Sequence, residues 1–330
     1  MTEHMTVQQA LALAVHALRR AGMPEHAALS CARALVLAEQ DGLPSHGLSR
    51  LPFYLAQIRT GKVNAAAVPD VTVEGAMVRV DARNGLAFAA IDAGFEPATA
   101  VARHLGIAAL AIRRSHHFGV AGYPVERAAR EGLLALALSN APAAIAPWGG
   151  RTPLFGTNPI AFASPRLNAE PVVIDLSLSK VPRGKVMLAK NAGAAIPLGW
   201  ALDKDGADTT DPDAALGGSM VPMGDAKGAA LALMVELLTA GLTGSHFGFQ
   251  ASSFFDAQGE APGVAHLLLL IDPARVGSDY LTHAETLFMA MLEQPGVRLP
   301  GQRRLAERRE RSQSLCLPQA LVEELQGYRT

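Results

Sequence analysis

Cysteine is nearly missing from this chain: 330 residues contain 2, Cys31 and Cys316. That excludes a disulfide framework and a zinc site built on cysteine. An excess of charge of either sign is missing too. Lys and Arg total 29 against 30 Asp and Glu, a net charge of −1, and no basic block stands out before the C-terminal end. Nucleic acid is therefore not expected as the main partner. No apolar run approaches the roughly 20 residues of a membrane span. The longest runs, such as Leu267–Ile271, are strand-sized, so no membrane association is expected. The N-terminal stretch has an acidic residue early and no cleavage site, which predicts a helix and not a signal peptide. Several enzyme fingerprints are absent: GxGxxG, GxxxxGK followed by Ser or Thr, HExxH, and GxSxG with a triad. No repeat or low-complexity segment occurs.

What is present is a chain that is 49% hydrophobic and 18% charged, able to bury a large core. The expectation is a soluble, cytoplasmic α/β protein, with one large domain or two to three smaller ones. Helical apolar spacing covers residues 5–21, ending at Gly22, and residues 25–40. A turn at Asp41–Pro44 then leads into a third helix running to about Thr60. If that helix starts near Ser45, Ser45 is its N-cap, and His46 and Arg50, four apart, share a face. Such a pair can protonate one part of a substrate and hold a carboxylate with the other; it also suits a capped helix start with a solvated arginine.

Alternation predicts a strand over Val71–Val80, and a helix is expected over Ala87–Leu105. Strands are expected at Ile107–Ile112, Leu133–Leu138, Ile160–Ala163, Val172–Ile174 and His266–Ile271, and helices at Val125–Glu131 and Tyr280–Leu292. Between Arg114 and Arg166 two turn clusters, His116–Gly119 and Gly156–Pro159, flank buried strands, the usual place for displayed chemistry. Adjacent histidines on a strand do not easily converge on one ion, so no metal is expected. Asp175 ends an apolar strand and is followed by serines and a basic turn at Val181–Lys185. Residues 199–215 form a polar surface excursion. Gly224–Gly228 opens a helix to about Ala240, where N–H groups beside Lys227 suit an anion; such a lysine is also common without function. Arg298–Arg304 is a basic turn, and the tail from Leu305 is charged and helical.

The motifs SHGLSR (Ser45–Arg50), SHHFG (Ser115–Gly119), APWGG (Ala146–Gly150), FGTNPIAF (Phe155–Phe162), VIDLSLSKVPRGK (Val173–Lys185), LGWALDKDG with TTDP (Leu198–Pro212), GDAKG (Gly224–Gly228) and RLPG (Arg298–Gly301) run in order over nearly the whole chain. This set resembles the second-type malate/L-lactate dehydrogenase family, which is unrelated to classical lactate dehydrogenase. That family includes ureidoglycolate, sulfolactate and diketogulonate oxidoreductases and the Δ1-piperideine-2-carboxylate/Δ1-pyrroline-2-carboxylate reductases.

The resemblance implies a homodimer with a non-Rossmann NAD(P)-binding fold on a largely antiparallel sheet, plus a helical domain formed by the N- and C-terminal segments. It implies a helical domain at 1–70 carrying the proton donor, an NAD(P)-binding α/β domain with a dimerisation excursion at 71–296, and a C-terminal segment at 297–330 returning to the helical domain.

By the same resemblance, His46 matches the proton donor with Ser45 beside it, and Arg50 matches the carboxylate anchor. His117, Phe118, Gly119, Val120 and Ala121 match a nicotinamide-side loop, and Thr157 a substrate or cofactor contact. Asp175, Leu176 and Ser177 match a cofactor-binding strand end, Ala226 and Lys227 a cofactor contact, and Arg298, Gly301, Arg303 and Arg304 a C-terminal cofactor segment. Arg303 and Arg304 could pair with a 2′-phosphate, which favours NADP(H) over NAD(H). Two departures bear on substrate. The cyclic-imine reductases carry His-Gly-Asp where this chain has Arg183-Gly184-Lys185, the pattern of the hydroxyacid branch. There Arg183 and Gly184 would meet substrate, and Lys185 would support a carboxylate or the developing oxyanion. The loop at Gly224 reads GDAKG and not GGHKG, so Ala226 offers no imidazole. The expected activity is reduction of a small 2-oxo acid. The alternative is a cyclic imino acid reductase; a non-catalytic dinucleotide-binding protein is a third, minor reading.

Overall fold

The computed structural model describes residues 2–276 and 279–329. Eleven strands and eleven α-helices occur among them. The first part holds β1 (Thr2–Thr6), α1 (Val7–Arg20), α2 (Glu25–Gln40), α3 (Leu51–Arg59), β2 (Asp70–Glu74), β3 (Met77–Asp81) and α4 (Ala87–Leu105). The middle holds β4 (Ile107–Ser115), α5 (Gly122–Arg130), β5 (Leu134–Ser139), β6 (Ile160–Arg166), β7 (Ala169–Leu176), α6 (Arg183–Asn191), β8 (Ala201–Leu202), α7 (Pro212–Gly217) and β9 (Ser219–Met220). The last part holds α8 (Ala226–Glu236), β10 (Val264–Ile271), α9 (Tyr280–Leu292), α10 (Gln302–Glu310), β11 (Ser314–Pro318) and α11 (Gln319–Gln326).

Seven strands make one sheet in the order β2-β3-β4-β10-β5-β6-β7. Every pairing is antiparallel except β3 with β4. The sheet is thus largely antiparallel, as expected. The apolar run of β10 follows from its central place: Leu268 and Leu270 pack into one core with α4 and α5, while Leu267 and Leu269 pack into another with α6 and α8. A strand covered on both faces needs no polar alternation.

A separate core joins α1, α2 and α3 to the C-terminal end through Leu13, Leu35, Tyr54, Leu315, Val322 and Leu325. The chain ends meet there, since β1 and β11 pair antiparallel. This differs from the expected helix over 5–21 and from a wholly helical tail. Thr6 caps α1 in a reciprocal box with Gln9, so residues before it are free to form a strand. The expected strand over 71–80 is a hairpin, folded at Gly75 with φ of +55°. The basic turn at Val181–Lys185 is already helical from Arg183. The third helix starts at Leu51. Ser45 and His46 lie in a short 3₁₀ turn before it, so Ser45 does not cap a helix.

Candidate active site

The segment carrying His46 is shaped from beneath by Glu39. The buried Glu39 carboxylate accepts from the Leu48 N–H at 2.7 Å. A Cβ at Gly47 would fall 2.2 Å from Glu39 Oε1, so any larger residue where the loop crosses α2 would displace the carboxylate that braces it. That bend, and not a helix face, brings His46 and Arg50 together. Ser45 Oγ lies 3.1 Å from His46 Nδ1, and Arg50 Nε donates to the Ser45 carbonyl at 2.7 Å. The His46 ring stacks on His117 with centroids 5.6 Å apart. His117 Nδ1 lies 2.6 Å from the Tyr54 hydroxyl. Burial, reinforced by the Arg50 charge, pushes His46 down to about 4. The ring edge still meets open cavity, but protein surrounds it on its other sides, and that desolvation disfavours the imidazolium.

All of this lines a cavity of about 820 Å³, within the usual range for small-molecule and cofactor sites. Along its wall stand Ser45, His46, Arg50, His117 to Ala121, Thr157, Asp175, Ser177, Arg183, Gly184, Arg298, Gly301, Arg303 and Arg304. Thr157 meets the Ser177–Leu178 segment, its carbonyl accepting from the Leu178 N–H at 2.8 Å. Gly119, at φ of +73°, approaches Phe88 so closely that a Cβ would sit 2.7 Å from the ring. Gly122 starts α5, and its N–H donates to Asp175 Oδ2 at 2.7 Å. Burial raises the Asp175 carboxyl, opposed by that hydrogen bond and by Arg304.

Four expected residues are not in the lining. Leu176 is exposed, and Ala226 and Lys227 open α8 outside the cavity. Lys185 places its ammonium 5.9 Å from the Trp200 ring centroid. The two C-terminal arginines also differ from one another. Arg304 Nη2 pairs with Glu126 at 2.7 Å, and Asp41 lies 3.5 Å from its Nε. Arg303 is exposed and shows no ion pair among the described residues. A free cation for a phosphate is therefore offered at Arg303, while Arg304 is spent on fixing α10. No group of three or more His, Cys, Asp or Glu side chains is gathered to hold a metal among the described residues.

Sequence reading missed several parts. Phe255 lies under the Arg50 guanidinium, 4.4 Å from its ring centroid. Its loop is pinned by buried Lys62, which donates to the carbonyls of Ser253, Asp256 and Gln258. Glu236 is 2% exposed. It accepts from the N–H groups of Gly156 and Gly248 and from the side-chain amides of Asn140 and Asn158. One carboxylate thus ties three segments of the cavity wall together. The signal was a lone acid inside the apolar run of α8. Replacing Glu236 by alanine strands these buried donors, and we expect a loss of about 3–5 kcal/mol. Urea unfolding would measure it; a loss below about 1 kcal/mol would mean that the segments hold without the carboxylate.

Three comparisons place this arrangement among known proteins. The family model for malate/L-lactate dehydrogenase matches residues 5–326. A (2R)-3-sulfolactate dehydrogenase (NADP(+)) of Chromohalobacter salexigens is 66% identical, over 99% of this chain and 98% of its own length. A Δ1-pyrroline-2-carboxylate/Δ1-piperideine-2-carboxylate reductase of Pseudomonas aeruginosa is 42% identical, over 97% and 98%. Among solved structures, the Δ1-piperideine-2-carboxylate reductase of Pseudomonas syringae pv. tomato superposes with a TM-score of 0.93 at 40% identity, covering 99% of this chain and all of that one. A match of this extent, on a chain whose largely antiparallel sheet and His46–Arg50 cavity are as described above, has one reading: the chain belongs to the malate/L-lactate dehydrogenase family.

Proposed function

We propose that this protein is an NADP(H)-dependent 2-hydroxyacid dehydrogenase that interconverts a small 2-oxo acid and its 2-hydroxy acid, with 3-sulfolactate and sulfopyruvate as the first pair to test. The observation that carries this reading is one cavity lined both by the His46–Arg50 pair and by a surface arginine, Arg303, without an ion pair among the described residues. The similarity to a sulfolactate dehydrogenase supports the substrate class and the choice of NADP(H). The cavity suits the cofactor chemically: besides the substrate-side Arg50 and Arg183, Arg298 and Arg303 line it without an ion pair among the described residues, and Asp175 is the lone carboxylate of the lining. An excess of guanidinium favours a ligand with several phosphates.

The chemistry that the cofactor supplies when bound is hydride exchange between C4 of its nicotinamide and C2 of the acid. The protein does the rest. Arg50, braced by the Ser45 carbonyl and Phe255, holds the substrate carboxylate. His46, steadied at Nδ1 by Ser45 Oγ, turns Nε2 toward the oxygen on C2 and gives or takes its proton there. Burial pushes the Tyr54 phenol well up, keeping it protonated as a donor to His117 Nδ1. His117 then presents Nε2–H to the cavity. Asp175, held by the Gly122 N–H, marks the cofactor end of the groove.

In the same reading the helical segment to residue 70 and the segment from 297 form one domain, and 71–296 the other, with the cavity between them. The protein acts as a cytoplasmic homodimer. The support for pairing is an apolar face with exposed Leu233, Leu237 and Leu242. The support for the compartment is two free thiols, one of them buried.

The test is NADPH and NADH oxidation against pyruvate, oxaloacetate, sulfopyruvate, Δ1-piperideine-2-carboxylate and Δ1-pyrroline-2-carboxylate. We expect turnover of open-chain 2-oxo acids, faster with NADPH. The 42% identical reductase keeps imine reduction as the second reading. A preference for the cyclic imines would establish that reading and overturn the first.

A further inference from the structure

We infer that Arg183 is the specificity-determining contact for a second negative group on the substrate, so that the cavity takes dianionic 2-oxo acids in preference to monoanionic ones. This rests on the dehydrogenase reading above and deepens it. The lining arginines fall into two sets. Arg298, Arg303 and Arg304 belong to the segment at Gly301, which packs on Val173 beside Asp175. Arg50 and Arg183 belong to the two segments that meet at Ser45. Arg50 Nε donates to the Ser45 carbonyl. Gly184, the next residue after Arg183, lies against Ser45: a Cβ there would be in ordinary contact, 3.8 Å from the serine Cβ.

One carboxylate needs one guanidinium, and the lining has a second besides Arg50 that is not on the Gly301 segment. Arg183 is half-buried at the start of α6. Its guanidinium donates to two carbonyls, Ala143 O at 3.4 Å and Leu216 O at 3.1 Å. Carbonyls orient the planar fork and neutralise none of its charge. No carboxylate pairs with it among the described residues, and burial alone depresses its basicity. A partly desolvated cation without a counter-ion is costly to keep. An anion carried in by the substrate offsets that cost, and a monoanion already held by Arg50 does not. Lys185 does not replace it, because its ammonium sits at Trp200 outside the lining. The second anion is a sulfonate or a carboxylate one carbon beyond C2, and both offer oxygens to a guanidinium fork.

The experiment measures kcat/KM for sulfopyruvate, oxaloacetate and pyruvate in the wild type, Arg183→Gln, Arg183→Lys and Arg50→Gln, with NADPH binding followed by fluorescence as a check on folding. We expect Arg183→Gln to lower the sulfopyruvate-to-pyruvate ratio about 100-fold, and Arg183→Lys to restore part of it. Arg50→Gln should depress all three substrates and leave the ratio near that of the wild type. A parallel fall for oxaloacetate assigns Arg183 to anions in general; a fall confined to sulfopyruvate assigns it to the tetrahedral sulfonate. A ratio unchanged in Arg183→Gln overturns the inference and leaves Arg183 as a clamp between the Ala143 loop and α7. Should that variant not fold, the wild type still decides: sulfoacetate must compete at least about 10-fold better than acetate, and equal inhibition overturns the inference. Failure of the wild type to reduce any of the three acids would instead sink the dehydrogenase reading.

Discussion

Replacing His46 by glutamine is expected to lower turnover of an open-chain 2-oxo acid by about 10²–10⁴-fold, the usual loss with a general acid, while NADPH affinity changes little. The separation follows from position. His46 contacts Ser45 and His117, whereas Arg303 lies on the segment whose Gly301 packs on Val173. Its pH signature is more diagnostic than the size of the loss. Burial and Arg50 hold the free imidazole at about 4, so it is neutral at pH 7. Reduction needs the imidazolium, so kcat/KM in that direction should fall as pH rises above about 4. Oxidation needs the neutral ring, so its kcat/KM should be level from about pH 5 upward as far as His46 is concerned. A bound anion stabilises the imidazolium, so the pKa seen in kcat should lie above the one in kcat/KM. Stopped-flow NADPH oxidation at pH 5–8 would show this. A level kcat/KM for reduction over that range would mean that another group delivers the proton.

Much of this was legible in the sequence where the information is local. Helical spacing gave α4 as Ala87–Leu105 and α9 as Tyr280–Leu292, the bounds observed. The apolar run of β10 announced a strand covered on both faces. The SHGLSR motif put His46 and Arg50 in one place, though for the wrong local reason: a bend braced by Glu39 and not a helix face. What stayed hidden depends on partners far along the chain. β1 and β11 are short and find each other across about 310 residues, a pairing that no period reveals. Tyr54 reads as one more aromatic of a helix until the fold lays it against His117. Arg303 and Arg304 look alike in sequence, yet Glu126 and Asp41 claim one of them.

The stability of the protein should fall steeply from about pH 6.5 downward, because four histidines are held neutral in the fold. His116 and His266 are pushed down to about 3 and His46 to about 4, and His117 lies well below its usual value; burial is the main cause in each. His266 sits between Ser115 and Ser139 with both ring nitrogens hydrogen-bonded. His116 is 1% exposed, and neither of its ring nitrogens has a hydrogen-bond partner among the described residues. The sign follows from linkage. Below about pH 6.5 the unfolded chain binds protons that the folded one refuses, so stability falls as pH falls. Each such histidine contributes about 1.4 kcal/mol per pH unit, so four give about 5 kcal/mol per unit between pH 6 and 4. Over the carboxylate range Glu39, Asp41 and Asp175, with raised values, oppose this, while Asp81, Glu126 and Glu285, with lowered values, add to it. Against a total of about 5–15 kcal/mol, unfolding should centre between about pH 3.5 and 5.5. Urea titrations at pH 7, 6 and 5 would give the slope directly. His116→Phe keeps the ring packed against Tyr54 and Phe254 and removes one proton site, so it should reduce the slope by about a quarter. Stability that stayed level from pH 7 to 5 would mean that these rings take up protons in the folded state, and the neutral histidine core described here would be wrong.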